Sequence, residues 1–194
     1  MPSTEKFKDS LTKFEVDDKI ITLINSNDEK ILDKDIKKMK SDYFKNAIDI
    51  MDEYMDHTKK QEILEWNACC KGGTREKASK LFAKENRDLT IEEKLDKIKN
   101  VPHMGTPILN SDGSITLHAV YYKDNDKFEC ACSTFNKVKR DYVVSKSYCY
   151  CCGGHFKYHY EIMLGVKLQI KEIVSSPLDS DGTKPCVLLL EIIS

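Results

Sequence analysis

At 194 residues, with 40% hydrophobic and 32% charged side chains, the chain has globular composition and the length for one well-cored domain. Its 31 basic and 32 acidic side chains nearly cancel, which excludes a global field directed at nucleic acid or anionic lipid. No apolar run approaches the roughly 20 residues of a membrane helix, and the opening MPSTEKFKDS lacks the apolar centre of a secretory signal, so a soluble cytoplasmic protein is expected.

In chain order, residues 1–28 alternate charge with a weak apolar period, and Ile20, Ile21, Leu23 and Ile24 fit a short helix or a short strand. From Ile31 the apolar residues recur at three- and four-residue steps, through Ile36, Met39, Tyr43, Phe44, Ala47, Ile48, Met51 and Met55. That period predicts one long helix, or two with a break where Ser41 is an N-cap. KKQEILEWNACCKGG reads as a short helix ended by Gly72 and Gly73. Thr74 is expected to cap the next helix, and Thr90 with Glu93 forms a capping box for IEEKLDKIKNV.

The composition changes at VPHMGTP. ILNSDGSITLHAVYY predicts two strands around an Asp112-Gly113 turn, and KDND a further turn before KFECACS. YVVSKSYCYC reads as a strand, the Gly153-Gly154 pair as the opening of a helix over roughly 155–164, and Gly165 as its end. VKLQIKEIVSS and KPCVLLLEII are the last two strands, joined by PLDSDGT. The fold class is therefore α+β: a helical N-terminal layer packed on a C-terminal antiparallel sheet with one inserted helix. Residues 1–100 are the mainly helical region and 101–194 the cysteine-rich α+β core, together one continuous globular domain.

Seven of the eight cysteines are clustered, as Cys69 and Cys70, Cys130 and Cys132, and Cys149, Cys151 and Cys152. In a cytoplasmic setting they are expected to be reduced. Residues two apart on a strand share a face, so Cys130 would align with Cys132 and Cys149 with Cys151. If the strands are neighbours, four thiols converge, and thiolates about 2.3 Å from a zinc ion would make a closed site. Only one residue separates each pair, whereas zinc knuckles generally have two. The plain alternative is that these are small core residues, and paired disulfides would need an oxidising setting.

A second reading centres on CCGGH. Cys151 and Cys152 just before a helix would have their thiolates favoured by free N–H groups, and His155 stands four residues after Cys151 as a base. His155 and His159 share a helix face but lack the glutamate of a zinc protease, and flanking a buried Phe156 stripe is the simpler account. Trp66, three residues before Cys69, sets an aromatic wall beside a thiol, suited to a pocket or to plain core. KVKRD reads as a solvated loop, with no interleaved aromatics of the kind that line a nucleic-acid groove.

YCYCCGGHFKYHYEIMLGVKLQIKEIVSSPLDSDGTKPCVLLLEI resembles the end of the 4-vinyl reductase domain and its relatives, especially cysteine-rich bacterial relatives of unassigned function. The elements that carry the resemblance are Cys149, Cys151 and Cys152, Leu164-Gly165, Ser175-Ser176, Asp181-Gly182 and Cys186, over about residues 120–193. The family commonly has Gly-Asp-x-x-Cys before the last cysteine, where this chain has DGTKPC. The resemblance implies helices on an antiparallel sheet, binding of a small, largely apolar molecule (often termed hydrocarbon binding), zinc at the cysteines in some members, and pairing into a homodimer. A bacterial hydrolase family acting on 2-amino-thiazoline-4-carboxylate has a similar layout.

The function expected from the whole is a cytoplasmic small-molecule-binding protein with neither nucleic acid nor membrane as partner. Trp66, Phe156 and His159 would contact the ligand. Cys69, Cys70, Cys130, Cys132, Cys149, Cys151 and Cys152 would line or brace the pocket, with zinc as the one cofactor in view. The alternatives are a thiol-dependent hydrolase using Cys151 or Cys152 with His155, and an interaction module whose cysteines only pack.

Overall fold

The computed structural model, which describes residues 4–26, 36–69, 71–119 and 122–193, has the α+β architecture, with helices mainly N-terminal and the sheet C-terminal. Among the described residues no helix is long and apolar enough to cross a membrane.

Two short helices open the chain, α1 (Thr4–Lys13) and α2 (Asp18–Asn25). Between a helix and a strand for Ile20–Ile24, the cap decides: the Asp17 carboxylate accepts from the Lys19 N–H at 2.7 Å and starts a helix. Helix α3 (Ile36–Tyr54) runs unbroken through Ser41, whose hydroxyl donates back to the Lys38 carbonyl at 2.7 Å instead of capping a second helix. Its apolar period buries Tyr43, Phe44, Ala47, Ile48 and Met51; Ile31 lies outside the described residues. Helix α4 (His57–Trp66) ends at Asn67, well before the glycine pair. Gly72 is instead the N-cap of α5 (Gly73–Glu85), with Thr74 inside the first turn, and α6 (Ile91–Ile98) has the Thr90–Glu93 capping box in full.

Strands β1 (Thr106–Leu109) and β2 (Ile115–His118) form the hairpin around Asp112-Gly113, and β5 (Leu168–Ser175) and β6 (Val187–Ile192) complete a four-stranded antiparallel sheet in the order β1-β2-β6-β5. Register sets Ile115 opposite Leu190, and Leu188 between Leu117 and Ile173, so one face is a continuous aliphatic surface. A separate hairpin, β3 (Tyr122–Asp124) with β4 (Lys127–Glu129), turns at Asn125 and Asp126, both at positive φ. It docks on the loop before β6, where the Phe128 N–H donates to the Gly182 carbonyl at 2.8 Å and Lys127 pairs with Asp181.

The expected strand at YVVSKSYCYC is not one. Residues Lys146–Cys149 form a 3-10 turn that leads directly into α7 (Tyr150–Leu164), five residues earlier than the glycine pair suggested. The Ser145 hydroxyl starts the turn by accepting from the Ser147 N–H at 3.3 Å. Gly153 and Gly154 lie within α7 and serve close packing. A Cβ at Gly153 would stand 2.7 Å from Ile170 Cδ1 of β5, and one at Gly154 would stand 2.9 Å from the Glu65 backbone of α4. Helix α7 is thereby pressed between the sheet and the N-terminal helices, packing on α4, α5 and β5. One hydrophobic core runs from Phe7 through Phe44, Leu64, Tyr148 and Tyr160 to Leu190. Gly165, left-handed at φ 76°, ends the helix as expected.

Candidate functional site

Because Cys149, Cys151 and Cys152 lie on a helical path rather than a strand, their directions follow the 3.6-residue period. Cys149, Cys152 and Phe156, three and four residues apart, share one stripe; Cys151 turns away from it. That stripe borders a cavity of about 310 Å3 at the start of α7. Six cysteines line it: Cys69, Cys130, Cys132, Cys149, Cys152 and Cys186. Apolar wall comes from Tyr148, Phe156, Ala119 and Pro177, while Arg75, His103, His155 and Glu129 bring charge or polarity.

Besides the turn into α7, three chain segments deliver these thiols. Residues beyond β4 are irregular rather than strand, so Cys130 and Cys132 are gathered by a local turn, in which the Cys132 N–H donates to Cys130 Sγ at 3.4 Å. Cys186 is positioned just ahead of β6, its carbonyl accepting from the Ala119 N–H at 3.0 Å. Cys69 arrives on the connection between α4 and α5, where its carbonyl meets His155 Nδ1 at 3.2 Å. A carbonyl only accepts, so Nδ1 carries the proton there and Nε2 faces the Arg75 guanidinium at 3.5 Å.

The thiols differ sharply in character. Cys132 is held well below the usual thiol range, first by a hydrogen bond from the Cys152 thiol; burial opposes this, and the Tyr148 hydroxyl, at 3.2 Å, and the Thr134 backbone add to it. Cys152 is correspondingly pushed up, because its proton is the one shared with Cys132, and burial acts in the same direction. Burial raises Cys130, with the charge of Cys132 adding to the effect. Cys149 is raised by its hydrogen bond with Cys186 and then by burial, and its thiol donates to Ser176 Oγ at 3.2 Å. Of these four thiols Cys132 is the one shifted toward the thiolate, while Cys130, Cys149 and Cys152 are shifted toward the protonated form.

Of the residues singled out in the sequence, Cys69, Cys130, Cys132, Cys149, Cys152, His155 and Phe156 meet at this cavity. Cys151 is fully buried on the opposite side of the α7 stripe. Its thiol points at the Asn67 carbonyl at 3.5 Å, and burial pushes it up to about 12. Cys70 lies outside the described residues. His159 is buried one turn along α7, with Nδ1 2.9 Å from the Ser79 hydroxyl. Trp66 packs edge-on to Phe14 at 6.3 Å with the Lys6 ammonium 5.0 Å from its ring centre, apart from the cavity lining. Helix α4 stops at Trp66, so the three-residue step to Cys69 carries no helical alignment. Tyr148, Arg75, His103 and Cys186 belong to the site without having been assigned to it. Tyr148 beside Cys149, and Arg75 just past the CCKGG patch, were the available signals.

Among the described residues, no group of three or more His, Cys, Asp or Glu side chains is disposed to hold one metal ion. A closed zinc site needs its ligands about 2.0–2.3 Å from a single point, whereas the described thiols ring a cavity. Compared with family models, with curated proteins and with solved structures, the chain matches none, and the 4-vinyl reductase resemblance rests on the residues that carry it.

Proposed function

We propose that this protein binds a small, largely apolar molecule in the cysteine-lined cavity at the start of α7. The observation that carries this reading is the convergence of four cysteine-bearing chain segments on one cavity of about 310 Å3, which falls at the lower end of the size range of ligand pockets. Tyr148 and Phe156 give the ligand aromatic wall, and Arg75, His103 and His155 offer a few polar contacts to orient it. The test is titration with a solvatochromic apolar dye of about the cavity's size. Saturable one-to-one binding is expected, and Ala131→Trp, which fills the lining from an exposed position, should weaken it at least about tenfold, or 1.4 kcal/mol. Absence of saturable binding, or full binding by the filled variant, sinks the reading.

A second reading, thiol-dependent hydrolysis of a small heterocycle, is favoured by Cys132, a cavity-lining thiol held below the usual range by the hydrogen bond from Cys152 and, further, by the Tyr148 hydroxyl 3.2 Å away. In that reading Cys132 is the nucleophile and Cys152 its proton partner, since Cys151 faces Asn67 and holds its proton up to about 12.

A further inference from the structure

The cavity wall carries a cation that the fold itself does not use. Arg75, in the first turn of α5, is the one lysine or arginine among the described residues that line the cavity. It is half-buried, and among the described residues it has no carboxylate within ion-pair distance. Its side chain meets His155, with Nη1 3.5 Å from Nε2. Nε2 accepts there, because the Cys69 carbonyl, 3.2 Å from Nδ1, keeps the ring proton on the other nitrogen. That contact occupies one of the five guanidinium donors and leaves the remainder of the fork unspent.

We propose that the ligand of this cavity is a small monocarboxylic acid with an apolar body, its carboxylate held by Arg75. The proposal rests on the reading of the cavity as a ligand site and names the class of ligand. A wholly apolar occupant would strip water from the guanidinium and return no hydrogen bond, which costs more than its contacts with the wall gain. A carboxylate matches the planar fork and replaces that water with two charge-assisted hydrogen bonds.

The rest of the lining sets the charge and the shape of the ligand. No second lysine or arginine stands among the described lining residues, so a single negative charge is balanced and a phosphate dianion is not. Glu129, the acid on the lining, is beyond ion-pair distance of Arg75, and it also borders a surface recess with Lys137, Lys139 and Arg140. The two charges therefore mark different parts of the wall. Tyr148 and Phe156 supply aromatic surface for the body of the acid.

The test measures displacement of the bound solvatochromic dye by 3-phenylpropanoate and by 3-phenylpropanamide at about pH 7, where the acid is ionised. The two probes share shape and apolar surface and differ in charge. The wild type should bind the acid at least about tenfold more tightly than the amide. Arg75→Gln should bring the ratio to about one, and Arg75→Lys should leave it between the two, since an ammonium keeps the charge without the fork. Each ratio is taken on one protein, so a change in dye affinity cancels. Circular dichroism checks the fold of each variant; if Arg75→Gln is not native, Arg75→Lys must still lower the ratio. Equal affinities in the wild type, or a preference for the acid that survives Arg75→Gln, overturn the proposal. Saturable dye binding that neither probe displaces overturns it as well and leaves the binding cavity standing; no saturable dye binding overturns both.

Discussion

At the scale of single residues, the chemistry of the cavity turns on one proton shared among neighbours. Cys132 and Cys152 compete for it, and the Tyr148 hydroxyl, 3.2 Å from Cys132 Sγ, adds to the Cys152 hydrogen bond in favouring Cys132 as the thiolate. Tyr148 itself is pushed well up by burial and by the adjacent Cys132 charge, so it stays protonated and remains a donor. The alkylation rate of an ordinary thiol falls about tenfold for each pH unit below about 8.5. With a lowered pKa, Cys132 should lose much less than this between about pH 8 and pH 6, as read by iodoacetamide labelling and peptide mapping. Tyr148→Phe should restore a steeper fall and slow labelling near pH 7, with little change at about pH 9.5, where Cys132 is ionised in either protein. Equal profiles for the two proteins would remove Tyr148 from the account. Cys151 shows the opposite case on the same helix: one position along the chain, buried against Asn67, it is inert at neutral pH.

At the scale of elements, α7 carries the site, and two glycines let it sit where it does. The two are not equivalent. At Gly154 a Cβ would meet the Glu65 backbone at 2.9 Å, and backbone of a packed helix has nowhere to go. At Gly153 the obstacle is the tip of the Ile170 side chain, 2.7 Å away, which can change rotamer. Alanine also gains about 1 kcal/mol over glycine in a helix. Gly154→Ala should therefore destabilise the protein by about 1–3 kcal/mol through overpacking, and Gly153→Ala by clearly less, in urea titrations followed by far-ultraviolet dichroism. Equal losses would mean that α7 and α4 separate freely. The same α4–α7 contact is bridged at its edge by Lys157 and Glu65 at 3.0 Å. A single partly buried pair at the edge of the contact does not set how closely the two helices pack, so the close backbone approach at Gly154 governs the geometry.

At the scale of the whole molecule, the helical layer and the sheet share one core, and a buried latch ties the site to it. Asp52 of α3 pairs with the buried Lys60 of α4 and accepts hydrogen bonds from Ser145 and Ser147 at the entry to α7. Burial alone would raise the Asp52 carboxyl; the Lys60, Ser145 and Ser147 contacts outweigh it and hold the group below its ordinary value. A carboxyl depressed in the folded state contributes stability that is complete above its unfolded pKa, about 3.9, and is lost as pH falls through the lower folded value. Asp52→Asn should thus cost about 1–3 kcal/mol near pH 7, since it leaves the Lys60 ammonium poorly paired, and the deficit should shrink on acidification below about pH 4. Urea unfolding should remain a single transition, coincident by near- and far-ultraviolet dichroism, because the core is continuous from Phe7 to Leu190. Separate transitions for the two halves would show that the latch joins independent units.

Much of this architecture was legible in the chain itself. Local signals act through nearest neighbours, so the Thr90–Glu93 box, the Asp112-Gly113 turn, the Gly165 stop and the last two strands could be read where they stand. The cysteine clusters likewise marked where chemistry would sit, because Cys130, Cys132, Cys149 and Cys152 are close in sequence to one another. Only the tertiary structure decided which thiols face one another. An alternating YCYC run fits a strand by local pattern, but Ser145, Ser147 and the Asp52 carboxylate draw it into a turn and then a helix. That change from a two-residue to a 3.6-residue period is what turns Cys151 away and leaves Cys149 and Cys152 on the cavity. Cys186 and Arg75 join the site across long stretches of chain, through strand pairing and helix packing, which no local pattern encodes.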